Sequence, residues 1–209
     1  MPFSKNTATA DGGAIYSNSG TVTLNNATIG GTSAADANKA QNGGGICLDG
    51  AFSTGTMNSG TISYNEAKHL TTVSQGGGIY ILNSASFTMN GGTISNNKSI
   101  KNSSAVSYGG GVCIKGNGSS GNHAKFIFKG GSITSNTANY GGGVLMTEGG
   151  IFEMGGTSQI PSITGNTASP GNGGGVAVGG AMKMMGGRIA GNTAGNGGGI
   201  FLWSSNEGQ

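Results

Sequence analysis

Residues 76–97, with the sequence GGGIYILNSASFTMNGGTISNN, hold the pattern that decides the fold. Three short runs in this stretch alternate apolar and polar residues, as β-strands do, and each run ends at glycine or asparagine turn residues. The runs comprise residues 79–81, 87–89 and 93–95. The residues predicted to point inwards are Ile79, Ile81, Phe87, Met89 and Ile94. The stretch therefore predicts three strands joined by tight bends, which together form one triangular coil.

The glycine-led start of this stretch recurs along the chain. A GG(G/A)(I/V) signal occurs seven times, and its last residue is at positions 15, 46, 79, 112, 144, 176 and 200. A nearly constant period of this length is typical of a solenoid, in which each copy buries its apolar side against the next. We predict an all-β fold, a right-handed single-stranded parallel β-helix of about six to seven coils of three short strands. Residues 1–203 are predicted to form this single domain, and residues 204–209 a polar C-terminal tail.

Asparagine follows the inward isoleucine of the third run by three residues in most copies. The segment Phe3-Ser4-Lys5-Asn6 fits this pattern at the start of the chain, whereas Ile29-Gly30-Gly31-Thr32 departs from it. Asparagine tolerates left-handed backbone, and its amide can bond to the asparagines above and below it. The predicted structural asparagine ladder contains Asn6, Asn65, Asn97, Asn136, Asn166 and Asn192.

The pairing of GG(A/G)(I/V) with (F/I)xxN resembles the repeats of chlamydial polymorphic outer-membrane proteins and related bacterial adhesin-like proteins. It is carried by Gly12-Gly13-Ala14-Ile15 with Phe3-Ser4-Lys5-Asn6, and by GGG(I/V) with IxxN in later copies. The resemblance implies an exported segment that works in adhesion or surface display, at an extracellular or bacterial cell-surface location. The similarity spans nearly the whole chain, which departs from the family in that neither a signal peptide nor an autotransporter-type barrel is recognised in these 209 residues.

Composition argues against several other classes of protein. Glycine supplies 46 of 209 residues without a G-X-Y period, which excludes collagen. The formal charge is only +3, and aromatic residues make up 6% at core-like positions, so we predict no nucleic-acid binding. No run of about 18 apolar residues is present, so we predict no membrane insertion by this segment. Cys47 and Cys113 share a register two coils apart and are predicted to be free thiols.

The acidic residues do not form the pattern that β-helical enzymes need. A glycoside hydrolase requires paired carboxylates facing one groove, and a calcium-dependent lyase requires several clustered carboxylates. No two of the seven acidic residues share an outward strand register in adjacent coils. We therefore predict no catalytic, cofactor-binding or metal-binding residues and no enzyme activity. A pectate-lyase-like carbohydrate-active β-helix stays as an alternative, as does an ice-binding solenoid, because the third runs carry two outward columns of Ser and Thr.

One outward column of the first run is apolar from end to end. An exposed apolar column usually marks a contact surface, whereas flanking loops can also cover such a column. Both interpretations stay open. The column contains Tyr16, Cys47, Tyr80, Cys113, Leu145, Ala177 and Phe201.

Three successive coils lengthen the bend between the third run and the next first run, at residues 33–42, 66–75 and 98–108. Because coils stack, these loops are predicted to form one lobe, and loops on a rigid scaffold often carry recognition. The candidate binding residues of this lobe are Lys39, Lys68, His69, Lys98 and Lys101. The predicted function is a non-enzymatic, adhesin-type display of loops to an unidentified protein or glycan.

The chain begins inside a third-run motif and stops just after a first run. Uncapped coils present unpaired backbone groups, which invite stacking. We therefore expect either a piece of a longer repeat protein or a subunit that self-associates, head to tail as a filament or laterally.

Overall fold

The computed structural model describes residues 2–101, 105–116, 121, 123–156, 159–180 and 182–203. In this part of the chain, parallel strands stack in sequence order into four long sheets, with a small fifth sheet of two strands. Each coil contributes one strand to each long sheet in turn. The predicted tail, residues 204–209, lies outside the described residues.

The first two sheets follow each glycine-led signal. Sheet 1 contains Ile15–Asn18, Ile46–Asp49, Ile79–Leu82, Val112–Lys115, Val144–Met146, Val176–Gly179 and Ile200–Trp203. Sheet 2 contains Thr21–Leu24, Thr54–Met57, Ser86–Met89, Lys125–Phe128, Ile151–Met154 and Met182–Met184. Neighbouring strands pair position by position, so that Ile79 lies between Ile46 and Val112.

The next two sheets complete the coil. Sheet 3 contains Ala27–Gly30, Gly60–Ser63, Thr93–Ser95, Ser132–Thr134, Ser162–Thr164 and Arg188–Ala190. Sheet 4 contains Lys39–Ala40, Glu66–Ala67, Lys98–Ser99, Thr137–Ala138, Thr167–Asn172 and Thr193–Asn196. The small sheet pairs Ser74–Gln75 with Ser107–Tyr108, and a short 3-10 helix spans Ala34–Asp36.

The predicted all-β parallel β-helix is confirmed, but the coil carries four strands rather than three. Sheet 4 was missed because four of its six strands are only two residues long, as in Lys98–Ser99 and Thr137–Ala138. Two residues are too few to show a period of two, and the inward residue is usually alanine, which is depleted in strands. The coil is therefore four-sided.

The interior is a continuous column of aliphatic and aromatic side chains. All five inward residues predicted from residues 76–97 are 0% exposed. Phe126 stacks on Phe152 with ring centroids 5.5 Å apart and packs against Phe87 at 6.1 Å. Burying one such side chain stabilises the fold by about 1.5–3 kcal/mol. Stacked coils share this core, so each coil depends on its neighbours.

The glycine signal marks a corner where the backbones of successive coils approach closely. Gly76 has φ +66°, a left-handed conformation that favours glycine. A Cβ atom on Gly77 would lie 2.5 Å from the carbonyl oxygen of Gly110 in the next coil. Side chains therefore cannot enter this corner, which explains why the signal recurs.

The predicted ladder asparagines stack in one column. The Asn97 side-chain amide donates to Asn136 Oδ1 at 3.0 Å and to the Ile62 carbonyl at 2.8 Å, while Asn97 Oδ1 accepts from Asn65. The same pattern links Asn136 to Asn166 and Asn166 to Asn192.

Asn38, which the prediction omitted, fills the gap in this ladder. Its side-chain oxygen accepts from Asn6, and its amide donates to Asn65 Oδ1 at 2.8 Å. The 3-10 helix lies between Ile29 and this asparagine, which therefore follows Ile29 by nine residues rather than three. The IxxN pattern therefore could not find it.

Cys47 and Cys113 are free thiols, as predicted, and both are fully buried. Tyr80 lies between them in the register of sheet 1. Burial raises the pKa of both thiols well above the usual value. Neither cysteine is poised for reaction.

Candidate functional site

The outward side of sheet 4 changes character along the molecule. Its consecutive outward positions are Lys39, Glu66, Lys98, Thr137, Thr167 and Thr193. The inward positions are Ala40, Ala67, Ser99, Ala138, Ala168 and Ala194. Small inward residues let sheet 4 lie close to the core, and the outward column is free to vary.

The lysines assigned to the lobe lie in and around this sheet. Lys39 and Lys98 are in strands and flank Glu66 in register, and both are exposed. The Lys68 N–H donates to the Ala40 carbonyl at 2.8 Å, so the ladder continues one residue beyond the strand. The prediction that all of these lysines lie in loops was wrong, because sheet 4 was not recognised.

Two of the predicted loops do lie together, and the third leaves the coil elsewhere. Ser74 Oγ donates to the Ile100 carbonyl at 2.7 Å, which ties the loop after Lys68 to the next coil. Ser99 Oγ donates back to the Ser74 carbonyl at 2.9 Å. The 3-10 helix Ala34–Asp36 instead precedes its sheet 4 strand, so it leaves the coil on the other side of that sheet. The single lobe of three loops is therefore corrected to two adjacent loops and a separate turn.

Three shallow hollows surround the lysines. Lys39, Glu66 and Lys68 line the first, together with Leu70, which is 66% exposed. Glu66 and Lys98 line the second, beside Tyr64. The third is lined by Lys101, Ala105, Val106, Asn139, Tyr140, Pro170 and Gly171. We call Lys39, Glu66, Lys68, Lys98 and Lys101 the basic face.

His69, the remaining candidate of the lobe, holds its own turn together. Its Nδ1 atom accepts hydrogen bonds from the backbone N–H groups of Thr71 and Thr72, at 3.2 and 3.0 Å. The His69 N–H donates to Ser74 Oγ at 2.7 Å. This pattern fits a structural role, and we leave His69 out of the basic face.

The basic face carries a net charge as large as that of the whole chain. Its four lysines and one glutamate give a net +3, which equals the formal charge of the whole chain. The remaining six basic and six acidic residues cancel. Ion pairs within the described ranges are Lys5–Asp36 and Lys125–Glu153, and neither uses a residue of the basic face.

Several carboxylates outside the basic face have structural partners. Asp49 accepts hydrogen bonds from Tyr16 and Asn83, and Asp11 accepts one from Asn42. The Ser33 hydroxyl bonds to Asp36 and holds the pKa of that carboxyl below its usual value. Over the residues that the structure describes, no three His, Cys, Asp or Glu side chains come together in a way that could hold a metal ion.

Most of the apolar outward column of sheet 1 is covered. Tyr80 is 2% exposed and Leu145 is 1% exposed, because Leu82, Tyr108, Tyr140 and Trp203 pack against the column. At its ends, Tyr16 is 50% exposed and Phe201 is partly buried. The interpretation of this column as a continuous exposed contact surface is therefore wrong, and the covering interpretation holds for its middle.

The hydroxyl columns of sheet 3 bond partly to themselves and to the backbone. Ser132 Oγ donates to Thr93 Oγ1 at 3.2 Å, and Ser63 Oγ donates to the Gly31 carbonyl at 2.6 Å. These bonds are those of ordinary strand residues.

A short sequence signal could have located sheet 4. Each ladder asparagine is followed by one variable residue and then Ala or Ser. The copies begin at Asn6, Asn38, Asn65, Asn97, Asn136, Asn166 and Asn192. The signal also identifies Asn38, and it places Glu66 between two lysines.

Residues 3–18 match the family model of the Chlamydia polymorphic membrane protein repeat. This segment contains the FxxN and GGAI motifs, so the predicted resemblance is confirmed, and the chain carries a repeat of this type. No curated protein and no solved structure matches the chain. The described residues form no helix long and apolar enough to cross a membrane.

Proposed function

We propose that this chain is a non-enzymatic, adhesin-type β-helix of a bacterial cell-surface or secreted protein, and that it binds a protein or glycan through sheet 4 and its loops. The repeat match at residues 3–18 supports a surface repeat protein. The carboxylates with structural partners, and the absence of net charge outside the basic face, favour binding over catalysis.

One observation carries this proposal: a nearly constant scaffold supports a surface that differs between coils. The inward alanines and the asparagine ladder continue through sheet 4, while long loops follow only the strands at Glu66–Ala67 and Lys98–Ser99. After Thr137–Ala138, only Asn139 and Tyr140 precede the next glycine signal. The coil of Thr137–Ala138 closes without such a loop, and additions of this kind on rigid scaffolds often serve recognition.

The test is adhesion of protein-coated beads to cultured epithelial cells. In the test variant, residues 68–75 and residues 100–108 are each replaced by Asn-Tyr, the connection that coil Thr137–Tyr140 already uses. The control variant carries Thr56→Ala and Thr88→Ala on the outer side of sheet 2. We expect adhesion by the native protein and the control, and loss of adhesion by the two-loop variant. Equal adhesion by all three, or none by the native protein, would overturn the proposal.

A further inference from the structure

The basic face presents positive charge that the molecule itself leaves uncompensated. No residue of this face takes part in either ion pair of the described chain. Lys39, Lys68, Lys98 and Lys101 are all exposed, whereas Glu66 is half-buried between two of them. Positive potential from four unpaired lysines attracts anions over about 8–10 Å at physiological ionic strength.

The lysines are spaced along the solenoid axis rather than gathered at one point. Lys39 and Lys98 lie two coils apart in register, or about 10 Å at ~4.8 Å per coil. Lys68 projects from the coil between them, and Lys101 lies farther along, beside Asn139. A single small anion could meet only one or two of these ammonium groups. An extended chain with repeated negative charges could meet all four.

The surroundings of the lysines suit a sugar chain. Leu70 and Tyr64 place apolar surface beside the first two hollows, where the C–H faces of sugar rings could rest. Lysine binds an anion as a point charge on a flexible stem, so it does not demand one fixed anion geometry. Nucleic acid would need successive free aromatic rings for stacking. Of the two tyrosines in these hollows, Tyr140 is already packed edge-on against Tyr108 at 5.8 Å.

We propose that the basic face binds an anionic polysaccharide, a sulfated or carboxylated glycan chain that runs along sheet 4 across the coils of Lys39, Lys68 and Lys98. This rests on the proposed binding function and names its ligand class. Glu66 limits the affinity, because its carboxylate lies between the lysines and repels the ligand. The scaffold behind the face holds the lysines in register and lowers the ordering cost of binding.

The experiment measures binding of a size-defined heparin oligosaccharide by isothermal titration calorimetry at two salt concentrations. The test variant is Lys39→Ser with Lys98→Ser, and the control is Lys129→Ser with Lys183→Ser, which removes the same charge elsewhere. We expect the test variant to lose about tenfold or more in affinity, since each lysine near an anionic surface contributes substantially. The control should change by less than about twofold, and Glu66→Gln should bind more tightly.

If heparin binds, any of four outcomes would still overturn the proposal. These are equal losses in test and control variants, affinity that does not fall with salt, equal binding of neutral dextran, and tighter binding of a single-stranded oligothymidylate of equal charge. The last would assign the face to nucleic acid. Circular dichroism of each variant checks that it is folded. If heparin does not bind while coated beads still adhere to cells, this inference fails and the proposed function stands. If heparin binds while the coated beads do not adhere, the proposed function fails and this inference stands.

Discussion

The two halves of sheet 4 share a scaffold and differ in their outward residues. Around Glu66, the outward column is Lys-Glu-Lys and two loops follow it; from Thr137 onward it is Thr-Thr-Thr, and no loop as long follows. Behind both halves lie the asparagine ladder and a column of small inward residues, which are alanine in every coil except that of Ser99. The comparison teaches that the repeat keeps the inward positions nearly constant, while the outward column differs between the two halves.

The largest loss of stability is expected from substitutions in the buried asparagine ladder, which both halves of sheet 4 share. Asn97→Ala removes a fully buried side chain that takes part in four hydrogen bonds, and Asn166→Ala removes a fully buried side chain that takes part in five in the other half. Each should lower the free energy of unfolding by about 3 kcal/mol or more, because buried partners lose their bonds. Urea denaturation measures this.

Asn58→Ala is the matched control for the ladder. Asn58 lies in an exposed row between Asn25 and Asn90, with one side-chain bond to each. Water can replace these bonds, so the cost should stay below about 1 kcal/mol. A cost for Asn58→Ala equal to that for Asn97→Ala would contradict the ladder's structural role.

The two-loop variant tests whether the two halves of sheet 4 share one scaffold, to which the two loops of the charged half are only added. Replacing residues 68–75 and 100–108 by Asn-Tyr makes the charged half resemble the threonine half. Shorter loops cost less closure entropy, which offsets the lost loop contacts, so the free energy of unfolding should change by less than about 2 kcal/mol. An unfolded variant by circular dichroism would mean that the loops are part of the scaffold.

Thr167→Lys transfers charge to the threonine half. Thr167 lies two coils beyond Lys98, the same separation as between Lys39 and Lys98. Stability should change by no more than about 0.5 kcal/mol, as for other surface substitutions. Heparin affinity should rise about threefold to fivefold from the added lysine. Lys129 directly follows the sheet 2 strand Lys125–Phe128. The variant Lys129→Arg keeps the charge at that position and should leave heparin affinity unchanged.

The smallest effect concerns the 3-10 turn beside Lys39. The Ser33 bond lowers the folded-state pKa of Asp36, so its contribution to stability is present above the ordinary value of 3.8 and is lost as pH falls through the folded pKa. Acidification from about pH 5 to about pH 2–3 covers the titration range of a carboxyl group. Over this range, the Tm of Asp36→Asn should fall slightly less than the Tm of the native protein. Identical losses of Tm would mean that the turn does not contribute.

The inward residues could be predicted from the sequence because two signals leave little choice of register. These signals are the apolar alternation in sheets 1 and 2 and the single isoleucine in each strand of sheet 3. Phe87 and Ile94 were assigned correctly from that alternation alone. Sheet 4 was not predicted, because strands as short as Glu66–Ala67 show no period. The burial of Tyr80 could not be predicted either, because it depends on Tyr108. The position of Tyr108 is set by strand pairing between two loops, and the spacing of the repeats does not reveal that pairing. The pairing of Lys39 with Glu66 could likewise not be predicted, because it depends on sheet 4.

The most direct test is an NMR titration of isotope-labelled protein with the heparin oligosaccharide, which reports both halves of sheet 4 at once. The account predicts amide shift changes at Lys39, Glu66, Lys68 and Lys98, with Thr167 and Thr193 unaffected. Changes spread evenly along sheet 4, or concentrated on sheet 2, would contradict it.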